Sequence, residues 1–276
     1  IYSVSRRTLN VELMNLAERE GDIEIQFQTR CTGYSFDKKE IIVENEVTGE
    51  TASIPAGVVI GTDGSASALR YEMQKRNGFN YSQDYLAHGY KELTIFPNPD
   101  GSFKLEKQAL HIWPRGNFMM IALPNPDGTF TCTLFLAHDG TPGFRQLQTK
   151  PDIQAFFETY FPDIIPHIPD YAEQFLENPL GYLATVRCAP WFVDGTVALL
   201  GDAAHAVVPF FGQGMNCSFE DCVVLDECMA AALPDWEQVF STYFDLRKKN
   251  ADAIADLALE NFIEMRMTGN YNLVSL

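Results

Sequence analysis

The stretch Val197-Ala198-Leu199-Leu200-Gly201-Asp202-Ala203-Ala204-His205-Ala206-Val207-Val208-Pro209-Phe210-Phe211-Gly212-Gln213-Gly214-Met215-Asn216 decides how this sequence folds. Thr196 to Leu200 is a short apolar run of the kind that forms a strand buried on both faces. It delivers Asp202 to the strand's C-terminal end, where open α/β sheets bind ligands. A carboxylate there can accept hydrogen bonds from sugar hydroxyls. Gly212 and Gly214 carry no Cβ and let the backbone come close to a flat ring. A helical pattern then runs from about Asn216 to Ala232, presenting its positive end to whatever lies at the loop. An ordinary strand–loop–helix connection with Asp202 as a cap is the alternative. The length of the whole string favours a ligand-bearing loop over that reading.

Working outward, Gly57-Val58-Val59-Ile60-Gly61 repeats the buried-strand pattern and runs into Thr62-Asp63-Gly64-Ser65 and a helix through Ala68 and Leu69. Upstream, Leu9, Leu13, Leu16 and Ala17 form a helical stripe within Thr8 to Glu20. Ile23 to Phe27 alternates as a strand, and Ile41 to Val43 and Ala52 to Ile54 flank a hairpin turn. The middle of the chain differs. Four strand-like runs (89–96, 109–113, 118–123 and 130–136) are punctuated by turns such as Pro97-Asn98-Pro99-Asp100-Gly101, as in an antiparallel meander. A helix over Asp152 to Phe161 stops at Pro162, Pro234 ends the next one, and Trp236 to Met265 is a long final helix. The fold class is therefore α/β: a Rossmann-like dinucleotide domain, interrupted by an antiparallel sheet domain and followed by a long helix. The expected division is 1–75 for the first part of the dinucleotide domain, 76–186 for the sheet domain, 187–234 for the second part and 235–276 for the helical segment.

The 276 residues suffice for one large or two medium domains, and the net charge of -17 argues against a broad nucleic-acid surface. An anionic cofactor is still admissible, because backbone N–H groups and a helix end can hold it locally. The six cysteines are scattered, without a CxxC pair or a suitably spaced His, so they read as reduced thiols with no metal. No apolar run is long enough to cross a bilayer. The chain starts at Ile1 and stops just after a long helical pattern, which reads as an internal fragment.

The Gly201–Asn216 string resembles the second FAD motif of the class A flavoprotein monooxygenases, the para-hydroxybenzoate hydroxylase-like family. Two further segments fit the same family: Ile60-Gly61-Thr62-Asp63-Gly64-Ser65-Ala66-Ser67-Ala68-Leu69-Arg70, and Ser5-Arg6-Arg7-Thr8-Leu9. A narrower resemblance, to the branch that hydroxylates L-kynurenine, rests on His88-Gly89-Tyr90-Lys91-Glu92-Leu93-Thr94-Ile95, His111-Ile112-Trp113-Pro114-Arg115, Phe118 to Asn125, Phe130 to Phe135 and Ile263-Glu264-Met265-Arg266. The resemblance implies an FAD-dependent hydroxylase that consumes NADPH and O2. It implies cofactor contacts at Arg6, Cys31 (by backbone), Asp63, Ala68, Asp202, Gly212, Gly214, Met215 and Asn216. It implies substrate contacts at Pro209, Phe210, Phe211, Asn261 and Glu264, with no obligatory acid or base. The family's GxGxxG turn would lie upstream of Ile1. The resemblance also implies a cytoplasmic enzyme in a bacterium, or one on the cytosolic face of the outer mitochondrial membrane in a eukaryote.

Some residues read as structural. His205 has no visible triad partner and is assigned to loop positioning rather than general-base chemistry. His111 reads as a packing residue on its strand. Arg115 either meets an NADPH phosphate or caps a turn. Phe156, Phe157, Tyr160 and Phe161 read as core. Asn261 and Glu264 stand at i, i+3 spacing on one helix face.

Overall fold

A computed structural model describes residues 6–21 and 23–267. The chain opens with α1 (Arg6–Glu20) and the strands β1 (Thr29–Ser35), β2 (Glu40–Asn45), β3 (Thr51–Pro55) and β4 (Val59–Gly61). Next come α2 (Ala68–Gln74), β5 (Asn80–Ile95), β6 (His111–Pro114), β7 (Met119–Pro124) and β8 (Phe130–Ala137). Then follow α3 (Lys150–Tyr160), α4 (Tyr171–Glu177), β9 (Gly181–Ala189), β10 (Phe192–Val193) and β11 (Val197–Leu199). Last are α5 (Asp202–His205), α6 (Gly214–Ala232) and α7 (Trp236–Met267). The predicted helices and the four middle strands are present. Residues 23–27, expected as a strand, are irregular, and pairing begins only at Thr29. Ile23 and Phe27, the apolar positions of that alternation, stay exposed.

Two compact units emerge from the contacts. One comprises residues 1–25, 86–183 and 263–276; the other comprises 26–85 and 184–262. Strands of the first unit belong to a five-stranded sheet in the order β6-β7-β8-β5-β9, with β6–β7, β7–β8 and β5–β8 antiparallel. α3 and α4 supply the aromatic core of this unit. Phe157 is fully buried, stacks on Tyr171 at 4.6 Å and meets Phe175 edge-on at 6.4 Å. Each such ring contributes roughly 1.5–3 kcal/mol on burial. α3 begins with a reciprocal cap between Thr149 and Asp152. Gln174 reaches β5, its Oε1 accepting from the Thr94 N–H (2.7 Å) and its Nε2 donating to the Thr94 carbonyl (3.1 Å). One side-chain amide thus stands in for a neighbouring strand at that point of the ladder.

The second unit holds the β1-β2-β3 meander and a smaller sheet in the order β10-β11-β4. β11 and β4 are parallel, pairing Val197 with Val59, Ala198 with Ile60 and Leu199 with Gly61. Every β11 residue is buried. Gly61 is needed here because an added Cβ would lie 2.9 Å from Leu69 Cδ1 and 3.1 Å from Leu199 Cδ2. The pairing brings the loops after Gly61 and after Leu200 to the same end of the sheet. Arg70 joins them, Nη1 donating to the Ala203 carbonyl (2.7 Å) and Nη2 to the Ser65 carbonyl (2.5 Å). Among the described residues no helix is long and apolar enough to cross a membrane.

Candidate functional site

The site grows from the C-terminal ends of β4 and β11. Gly201 has φ +61°, and an added Cβ would stand 2.9 Å from Ser218 Oγ, so only glycine fits the turn. Asp202 is exposed, while the three residues after it in α5 are buried. A 3-10 turn over Pro209–Phe211 ends at Gly212, which is left-handed at φ +65° with open space around it. α6 then starts at Gly214 without a side-chain cap from Gln213. Its first-turn N–H groups therefore depend on solvent or a ligand, and Met215 and Asn216 beside them are exposed. An anion at such a helix end gains about 0.3–1 kcal/mol from the dipole. A carboxylate that accepts from hydroxyls, a glycine that leaves room for a flat ring and the donor N–H groups of an uncapped helix start together fit a flavin nucleotide.

Asp63 and Ala68 lie on the neighbouring loop. The Asp63 carboxylate accepts from the N–H groups of Ala68 (2.7 Å) and Leu69 (3.3 Å), and Ser67 Oγ from that of Arg70 (2.9 Å), so both cap α2. Cys31 is half-buried at a β1 bulge. Burial raises its thiol pKa, and the Asp63 charge acts in the same direction. These residues share one unit with Asp202, Gly212, Gly214, Met215 and Asn216. Arg6 opens α1 in the other unit, and its side chain lies outside the described residues.

Phe210 is buried and stacks on Phe262 with ring centroids 4.0 Å apart. Asn261 Nδ2 donates to the Phe210 carbonyl at 2.5 Å. Asn261 thereby fastens the Pro209–Phe211 turn to α7. Pro209 is exposed in that turn, and the Phe211 side chain is outside the description. Glu264 is exposed further along α7. Arg115 serves as a local cap: Nε donates to the Tyr160 carbonyl (2.6 Å) at the end of α3, and the guanidinium lies 4.8 Å from the Phe161 ring centroid. His111 packs beside Trp113 and bonds the Glu106 carbonyl at 2.8 Å.

Beneath the glycine-bracketed loop lies a buried charge cluster. Asp221 Oδ2 accepts from the Gly201 N–H (3.0 Å) and pairs with His205 Nε2 (2.5 Å); its Oδ1 accepts from Arg247 Nε (2.7 Å). Arg247 Nη2 also donates to the Cys217 carbonyl (3.2 Å), and Nη1 reaches the exposed Glu220 (2.8 Å). Burial alone would lower the His205 pKa, but the Asp221 bond and charge and the nearby Cys217 outweigh it and raise it to about 9. Burial opposes ionisation of Asp221 too, yet His205, Arg247 and the Gly201 N–H hold its carboxyl below the usual range. His205, Cys217 and Asp221 lie close enough together to suggest metal ligands. The Arg247 guanidinium already occupies Asp221 and the Cys217 sulfur (3.4 Å), so this is an ion-pair cluster.

The sequence singles out His205 but not Asp221, with which it pairs, or Arg247. Both were signalled by helix periodicity. Cys217, Asp221, Leu225 and Cys228 form the buried stripe of α6, and Val239, Phe240, Tyr243, Arg247 and Ala251 that of α7. A charged residue on an apolar stripe implies a buried partner.

Residues 181–258 match the FAD binding domain family. The chain is 53% identical over 266 residues to the kynurenine 3-monooxygenase of Myxococcus xanthus, covering 96% of this chain and 57% of that protein. It is 47% identical to the Flavobacterium psychrophilum kynurenine 3-monooxygenase, with 96% of this chain and 59% of that one covered. The chain thus spans rather less than two thirds of the curated relatives it matches. Among solved structures, a 2-methyl-3-hydroxypyridine-5-carboxylic acid oxygenase variant superposes with a TM-score of 0.76 at 19% identity, covering 98% of this chain and 69% of the other. That likeness establishes the fold.

Proposed function

We propose that this chain, by fold and sequence one of the FAD-dependent aromatic monooxygenases, hydroxylates L-kynurenine at ring position 3, consuming NADPH and O2. The observation that carries the reading is the similarity to curated kynurenine 3-monooxygenases along 96% of the chain. The loop geometry supports it, since two parallel strands present Asp63 and Asp202 at one end of the sheet. In this reading Arg6, Cys31, Asp63, Ala68, Asp202, Gly212, Gly214, Met215 and Asn216 hold the FAD. Pro209, Phe210, Phe211, Asn261 and Glu264 form the substrate side. The domain division proposed with it is 1–75 and 187–234 for the cofactor, 76–186 for the substrate sheet and 235–276 for the helical segment.

When bound, the flavin supplies the hydride acceptor and the oxygen-activating chemistry, and the kynurenine amino group already enriches the ring to be attacked. The protein's part is placement and electrostatics. Asp202, exposed at the end of β11, would accept hydrogen bonds from the cofactor's hydroxyls. The α6 N-terminus faces negative charge. Asn261 and Phe262 fix Phe210, and with it the turn that would border the ring. No side chain is assigned a proton-transfer step.

The test is purification of the full-length protein, with its visible spectrum and its NADPH consumption recorded with and without kynurenine. A flavin band, kynurenine-stimulated NADPH oxidation and formation of 3-hydroxykynurenine are the expected results. Stimulation by a phenolic acid and none by kynurenine would overturn the substrate assignment.

A further inference from the structure

We propose that His205, held as a cation by Asp221 beneath the Gly201–Asn216 loop, is a positioning residue that biases this loop toward the reduced, anionic form of the flavin. The inference rests on the flavin reading above and goes beyond it, since His205 belongs to none of the contacts assigned there.

One Asp221 carboxylate bonds the Gly201 N–H, the His205 ring and the Arg247 guanidinium. Gly201 directly precedes Asp202, and the Cys217 carbonyl held by Arg247 directly follows Asn216. The cluster therefore fixes both ends of the ligand-bearing loop from below.

Charge comes next. His205 is 4% exposed, Asp221 0% and Arg247 1%. Groups facing His205 are Asp221 and Cys217 of α6, with Arg247 of α7 behind Asp221 and the uncharged Trp191 ring at 4.9 Å. The remaining carboxylate, Glu220, is 60% exposed and screened by solvent. Of the buried groups two are cations and one is an anion; the balancing carboxylate, Glu220, meets Arg247 from the solvent side. For stability alone, an apolar set of similar volume would serve as well, because buried ion pairs seldom repay their desolvation. A fixed cation in the buried cluster, acting with the α6 dipole, favours a ligand that gains negative charge. The raised His205 pKa agrees with a ring that stays protonated at neutral pH.

The experiment uses the FAD-loaded full-length protein. Nitrogen NMR of His205 in the wild type should show an imidazolium at pH 7.5; a neutral ring overturns the proposal whatever any variant does. His205→Gln keeps a neutral donor for Asp221 and removes the charge. With FAD content and circular dichroism retained, its preference for reduced over oxidised FAD should fall about tenfold, a midpoint about 30 mV more negative. A folded, FAD-loaded His205→Gln protein with an unchanged midpoint overturns the proposal and leaves a structural role. A wild-type protein that holds no FAD overturns the flavin reading itself, and this inference with it.

Discussion

Asp221→Asn is the substitution that asks most of the buried cluster. The wild-type carboxylate is fully buried and receives three donors, at 3.0 Å from Gly201, 2.5 Å from His205 and 2.7 Å from Arg247. An amide matches its shape but carries no charge, and its NH2 end must face one of those donors. Removing one partner of a buried pair costs about 3–5 kcal/mol, because the other charge stays behind uncompensated. For a chain of this size that lowers the melting midpoint by on the order of 10 °C. The pH dependence should change as well. In the fold the His205 pKa is raised from 6.5 to about 9. Its contribution is therefore fully present below about 6.5 and lost as pH rises through about 9, a change of about 3 kcal/mol. The Asp221 pKa is lowered, so its contribution is present above the ordinary carboxylate range and lost in acid. The two describe one coupled pair and are not added. Thermal unfolding of wild type and variant, followed by circular dichroism from pH 6 to pH 10, checks both points. A variant that melts within 2 °C of wild type, or that keeps the full alkaline loss of stability, refutes the argument.

Two further substitutions test the loop and the turn. Gly201→Ala places a methyl 2.9 Å from Ser218 Oγ on a backbone at φ +61°; the expected cost is about 1–3 kcal/mol, with reduced FAD retention, read by denaturant titration and by the flavin-to-protein absorbance ratio. Asn261→Ala removes the bond to the Phe210 carbonyl. The kynurenine KM should rise up to about tenfold while FAD content holds, and an unchanged KM would exclude a role for Asn261 in placing that turn.

What the sequence made legible divides along physical lines. β11 is read easily, because a strand covered on both faces has no polar position and Val197 to Leu200 shows none; β4 repeats the apolar run although its Ile60 is exposed. The middle strands are read from their Pro, Asn, Asp and Gly turns. Residues 23–27 mislead because alternation records which side chains are apolar and not which face is buried, and here Ile23 and Phe27 are exposed. β9, β10 and α4 were not foreseen: β10 is two residues long, and α4 ends at Glu177 with Asn178 turned to the Glu92 carbonyl of β5 at 2.7 Å. Such tertiary pairings have no local signal.

The same limit governs the site. Asp202, Gly212 and Gly214 belong to a contiguous string whose spacing is itself the message. Asp221 and Arg247 stand 26 positions apart and meet only when α6 and α7 pack. Phe219-Glu220-Asp221-Cys222 does not say by charge which acid turns inward; the helical period does, since Asp221 falls in register with Cys217 and Leu225. Arg247 falls in register with Tyr243 and Ala251 by the same rule. An acid on one apolar stripe and a base on another each carry a burial cost that neither bears alone, so their pairing follows from energetics once both are noticed. His205, the last residue of α5, completes the set by placing its ring between Trp191 at 4.9 Å and Asp221 at 2.5 Å. A cofactor loop can therefore be recognised from its own residues, whereas the charge that tunes it must be sought on helices whose stripes contain a residue that does not belong there.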